Sequence, residues 1–157
     1  MPACRLCPGG RKGLAMDNPD EGQSFPFLEY CGIERPLVAG GRCIAVVEPR
    51  PELLNSLGIA HGGLITTLAD AAMGGAARSA LPETRTVVTV TMQASFFAPG
   101  RGRLEAEAKV VRKTRALLFV ECDVRVGSGE VIARTSGVFR ALDRDRFRDH
   151  RTAAANS

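Results

Sequence analysis

The chain has 157 residues, 45% of them hydrophobic and 24% charged, the length of one domain or of one domain plus a tail, with enough material for a core. Lys and Arg outnumber Asp and Glu by 21 to 17, giving a net charge of +4, a mild basic balance that suits an anionic small ligand. The charge is spread along the chain, and one Tyr with no Trp offers little for base stacking, which argues against a nucleic-acid partner. No apolar run approaches the ~18 residues of a membrane span. The first 22 residues also lack the apolar stretch of about 7–15 residues that a signal peptide needs, so the expectation is a cytoplasmic protein away from membranes.

Residues 1–24 are rich in Gly, Pro and charge and read as a flexible arm. Cys4 and Cys7 form one CxxC with no second pair, short of the four ligands of a structural zinc site. Met16, just before DNPDEG, is a candidate start of translation. Five cysteines at irregular spacings are expected as reduced thiols, with Cys31, Cys43 and Cys122 as small core side chains. The segment FPFLEYCGIE (25–34) reads as a docking helix or turn, and a first strand is expected over 42–48, between GG and PRP.

GGLITTLADAAMGGAARSA (62–80) is apolar or small nearly all round and free of Pro, the pattern of a helix buried on every side. The period then changes to two. Strands are expected over 86–97, 103–110, 116–126 and 130–142, joined by APGRG and GSG turns. The closing DRDRFRDHR alternates in sign and reads as a solvated tail over 143–157. The expected class is therefore α+β, a single antiparallel sheet of about five strands wrapped around one long central helix, in a domain spanning 25–142.

One residue in the helix needs a reason. Between Gly62 and Ala77 the only ionisable side chain is Asp70, and burying a carboxylate without partners costs roughly several kcal/mol. It fits either a hydrogen-bonded structural role or a general base or nucleophile in a partly dry site. At the helix start, His61-Gly62-Gly63 presents N–H groups at the positive end of the helix dipole, with no side chains to block approach, which suits an oxyanion. Eight residues separate Gly62 from Asp70, about 12 Å of helix axis. One helix cannot aim both at one atom, so a catalytic reading expects a homodimer.

Asn55, His61 six residues on and Asp70 nine further, with HGG and the later TVTMQASFFAPGRG, resemble the signature of hotdog-fold acyl-CoA thioesterases. The resemblance is to the PaaI-like, phenylacetate-degradation branch, related to the 4-hydroxybenzoyl-CoA thioesterases. It implies that Asp70 activates water or attacks the thioester carbonyl, and that the Gly62 N–H polarises its oxygen across a dimer interface. Asn55 would orient the carbonyl or the water, His61 would support the site, and Thr89 would hold the water. Substrate contacts are implied at Gly63, Val90 and Thr91. Lys113, Thr114 and Arg115 in RKTR would meet the phosphates of coenzyme A, with Arg78 and Arg140 less well placed.

No metal and no organic cofactor is implied, coenzyme A being part of the substrate, and two dimers pairing into a tetramer fit the resemblance. Leu57, Ile59, Leu64, Met73 or Val90 would line a pocket for an arylacyl or short-to-medium acyl group. The alternative is a non-catalytic acyl-CoA-binding module on the same fold. A hydratase on the same fold is disfavoured, because His61 lies in the HGG context and not in the His pattern that such chemistry uses.

Overall fold

The computed structural model describes residues 23–127 and 129–144. The expectations placed on Cys4, Cys7, Met16 and most of the two terminal segments fall outside them. A short helix α1 (Pro26–Cys31) leads into strands β1 (Glu34–Ala39) and β2 (Arg42–Val47). A 3-10 turn (Pro51–Leu53) and a loop precede the long helix α2 (Gly62–Ser79). Strands β3 (Arg85–Phe96), β4 (Leu104–Lys113), β5 (Leu117–Val126) and β6 (Val131–Asp143) complete the domain. They form one sheet in the order β1-β2-β4-β5-β6-β3, antiparallel at every pairing.

The sheet has six strands where the period-two runs indicated five. The extra one is β1, whose sequence ERPLVA carries a proline that argues against a strand. Pro36 lacks an N–H and is tolerated because β1 lies at the sheet edge, where one row of donors has no neighbour. The register also shifts between Glu34 and Leu37, so the proline sits in an irregular stretch. Elsewhere the alternation reads through to the structure. In β4, Leu104, Ala106 and Ala108 are buried while Glu105, Glu107 and Lys109 face water.

Helix α2 touches all six strands, and the curved sheet closes over it. Leu68, Ala69, Ala72, Met73, Ala76 and Ala77 are fully buried, which explains why small residues dominate: the sheet backbone has to come close on several sides. Gly75 marks the tightest approach. A Cβ added there would lie 2.7 Å from Cys43 Sγ and 3.3 Å from Cys43 Cβ. Cys31, Cys43 and Cys122 are buried free thiols, and burial is the main cause that pushes the Cys122 thiol up to about 12. Among the described residues, no helix is long and apolar enough to cross a membrane.

This packing predicts that Gly75→Ala destabilises the fold by roughly 1–3 kcal/mol through overpacking. Adding Cys43→Ala should recover part of the loss, since it removes the sulfur that the new methyl meets. Urea denaturation of the single and double variants checks both statements.

Candidate active site

The loop before α2 is organised by Asn55. Its Oδ1 accepts from the Leu57 N–H at 2.9 Å and from the Ile59 N–H at 3.4 Å. Its carbonyl accepts from the N–H of Gly58, at φ 68°. An isolated bridge between Leu54 and Ala60 closes the loop. The amide oxygen is committed to the backbone, so the NH2 group is what Asn55 has to offer a carbonyl oxygen.

His61 is the N-cap of α2. Its Nδ1 accepts from the Gly63 N–H at 2.9 Å, which in a neutral ring leaves the proton on Nε2. The same contact explains Gly63, because a Cβ there would fall 2.9 Å from His61 Nδ1. The cap uses the Gly63 N–H. The Gly62 N–H belongs to the first turn, where the helix itself supplies no acceptor. Gly62 lines a cavity of about 360 Å³ with Asn55, Ile59, Phe96 and Phe97.

Asp70 lies farther along α2, half-buried, and its Oδ1 accepts from Thr89 Oγ1 at 2.9 Å. That contact depends on an irregularity in β3. Strict alternation through TVVTVTMQASFF would keep Val88, Val90 and Met92 on one face and turn Thr89 away from the helix. The register shifts between Thr89 and Thr91 opposite β6, a bulge that leaves Val90 as the extra residue. Upstream of it Val87 and Thr89 turn toward α2; downstream Met92 packs on the core. Val88 and Val90 are exposed instead.

Asp70 and Thr89 line a second cavity, of about 390 Å³, with Phe25, Leu28, Arg35 and Arg78 among its walls. Thus Asp70 and Thr89 are brought together, and Asn55 and Gly62 are brought together, but the two sets line separate cavities. Thr91 lines neither; it faces a shallow depression on the outside of the sheet with Phe119 and Val138. Leu64 and Met73 are core residues.

The basic turn between β4 and β5 is exposed from Arg112 to Arg115. Lys113 Nζ donates to the Ala80 carbonyl at 2.5 Å, placing a cation at the negative end of α2. The Thr114 hydroxyl closes the turn, accepting from the Leu117 N–H at 2.9 Å. The Arg115 carbonyl accepts from Arg85, and Arg140 is paired in register with Val88 and Leu117.

Residues 57–133 match the model of the thioesterase superfamily. A single-site mutant of the phenylacetic acid degradation protein PaaI from Thermus thermophilus is 30% identical, with a TM-score of 0.69 over 75% of this chain and 100% of that one. The chain belongs to the thioesterase superfamily. Its helix wrapped by an antiparallel sheet is the hotdog fold. Another similar solved structure is that of the BH2602 protein from Bacillus halodurans, determined with CoA. It is 29% identical, with a TM-score of 0.69 over 76% of this chain and 77% of that one. A provisionally named esterase of Halobacterium salinarum is 38% identical over 93 residues, 58% of this chain and 60% of that protein. The match therefore spans less than two thirds of that relative's length.

Within this thioesterase-superfamily domain, Arg35, Phe25 and Leu28 are cavity residues that the sequence reading passed over. Only Arg78 carried a legible signal, standing eight residues after Asp70 on the same helix. Removing the cap by His61→Ala is expected to lower stability by about 0.5–2 kcal/mol. Gly63→Ala should do the same by displacing the ring. Chemical denaturation measures both, and adding Gly63→Ala to His61→Ala should then cost little more.

Proposed function

We propose that the protein is an acyl-CoA thioesterase whose site is completed by a second copy of the chain. The observation that carries this reading is the Asp70–Thr89 pair in one cavity, with the Gly62 N–H and Asn55 in another on the same helix. Thr89 spends its proton on Asp70, so its oxygen can accept from a water held beside the carboxylate. That favours Asp70 as general base over Asp70 as nucleophile. The water oxygen attacks the thioester carbonyl while Asp70 takes its proton. The tetrahedral oxyanion is held by the Gly62 N–H and the Asn55 amide of the other chain. Collapse breaks the carbon–sulfur bond, and the departing coenzyme A thiolate takes up a proton, giving free acid and coenzyme A.

The sheet edges support the second copy. β1 carries Pro36, Glu34 and Arg35 along its edge, features that blunt strand-to-strand association. β3 has twelve residues with no charge beyond Arg85, and Val88, Val90 and Phe96 are exposed on it. A nearly uncharged edge of that length is where a second copy would pair. The CoA held by the Bacillus halodurans neighbour supports coenzyme A as the handle of the substrate. In this chain the exposed turn at Lys113, Thr114 and Arg115 would meet its phosphates.

The test is to incubate the protein with acetyl-, hexanoyl-, decanoyl-, benzoyl- and phenylacetyl-CoA and to follow coenzyme A release by chromatography. Asp70→Asn is expected to slow release by about 10²–10⁴-fold, the usual worth of a general base. Thr89→Val should cost about tenfold, one hydrogen bond to a charged group. Release that Asp70→Asn leaves intact would refute the assignment. Tight binding without release would mark a binding module instead.

A further inference from the structure

We infer that Gly74 is a specificity-determining residue, whose bare backbone lets the apolar body of an acyl group longer than acetyl lie across α2 beyond Asp70. This rests on the thioesterase reading above and adds the class of acyl group and the residue that admits it.

Glycine inside a helix is less stable than alanine, so each glycine of α2 asks for an explanation. Gly62 opens the helix. Gly63 makes room for the capping ring of His61, which a Cβ would meet at 2.9 Å, and Gly75 for Cys43 Sγ, at 2.7 Å. Gly74 lies well inside the helix, and a Cβ there would meet one atom, Cε1 of Phe139, at 3.8 Å. That is ordinary van der Waals contact, so the packing of the fold does not ask for a glycine. The residue is half-buried and lines the cavity of about 390 Å³ that it shares with Asp70 and Thr89. The room left by its missing side chain is therefore room in the cavity.

Asp70 and Gly74 are four residues apart, on one stripe of α2 and about 6 Å along its axis. Around them the cavity has apolar walls: Leu28 from α1, Val87 and Val88 from β3, and Phe139 from β6. Phe139 is 1% exposed, and a Cβ on Gly137 would lie 3.1 Å from Cε2 of its ring. The ring is thus seated against β6 on one edge and faces Gly74 with the other, a wall fixed in place. Arg35 stacks over the Phe25 ring at 4.0 Å, and Arg78 donates to the Pro82 and Glu83 carbonyls. Both cations are engaged by the protein itself.

A thioester attacked by water beside Asp70 has an apolar floor and an aromatic wall one turn of helix away. An acetyl group ends before them and gains nothing. A hexanoyl or phenylacetyl group reaches across Gly74 and buries its body between the helix backbone and the Phe139 ring. A methyl group at position 74 would take the space of one methylene of that body. In an apolar pocket one methylene is worth roughly 10–200-fold in kcat/KM.

Acetyl-, hexanoyl- and phenylacetyl-CoA, given to the native chain, Gly74→Ala and Gly74→Leu, test it. The native chain is expected to act on the better of the two longer substrates with a kcat/KM at least about tenfold above that for acetyl-CoA. Gly74→Ala should lower this ratio by about tenfold and Gly74→Leu by more, chiefly through KM, since binding of the acyl body is what is lost. The urea midpoint of Gly74→Ala should equal or exceed the native one, and its size by sedimentation should not change. Acetyl-CoA turned over as well as the longer substrates, or a ratio that Gly74→Ala leaves unchanged, would overturn the inference and leave the thioesterase reading standing. A lowered urea midpoint or a smaller assembly in Gly74→Ala would overturn it too, by showing that the glycine makes room for the fold or for a second copy. Absence of release from every acyl-CoA would remove both.

Discussion

A helix is a rigid ruler, and this one sets the terms for the whole domain. Gly62 opens α2 and Asp70 stands eight residues along it, so about 12 Å of axis separates the N–H group at the helix start from the carboxylate. The sheet wraps that helix and buries its middle, which prevents the two groups from approaching by any local bend. Each instead ends in its own cavity, one with Asn55 and one with Thr89. On the proposed reading these are the polarising end and the basic end of the site, carried on one element and kept apart. In the proposed mechanism a second copy resolves the separation, each chain supplying what the other's cavity lacks.

The sheet is suited to that arrangement at one edge only. Its β1 edge is broken by a proline and an irregular register. The β3 edge is long and nearly uncharged, and its bulge at Val90 serves two purposes. It turns Thr89 inward onto Asp70, and it turns Val88 and Val90 outward. One extra residue in a strand therefore links the chemistry of the site to the character of the surface that the proposed dimer uses.

Much of this was legible in the sequence, for reasons that can be named. The helix could be read because nothing in 62–77 is large and polar except Asp70, and the β4 strand because its alternation is unbroken as far as Lys109. The strand β1 was not, since Pro36 weighs against a strand and only its place at the edge excuses it. The bulge in β3 was equally hidden: TVVTVTMQ alternates cleanly on paper, and the shift arises from pairing with β6, which lies some forty residues on. Arg35 was invisible as a site residue because its neighbours in the cavity come from α1, α2 and β3. The separation of Gly62 from Asp70, by contrast, followed from helix geometry alone.

The most direct test of the shared site is complementation between two inactive variants. Asp70→Asn removes the base. Gly62→Pro removes the N–H at the first helical position, where proline is tolerated and the preceding His61 is already extended at ψ 139°. Each alone is expected to lose about 10²-fold or more in rate. If each site takes Asp70 from one chain and Gly62 from the other, a mixed dimer contains one site with both faults and one with neither. Unfolding and refolding the two variants together in equal amounts should then restore about a quarter of the native activity, given random pairing in a two-fold dimer. A mixture no more active than its parents would contradict the shared site and return both groups to a single chain.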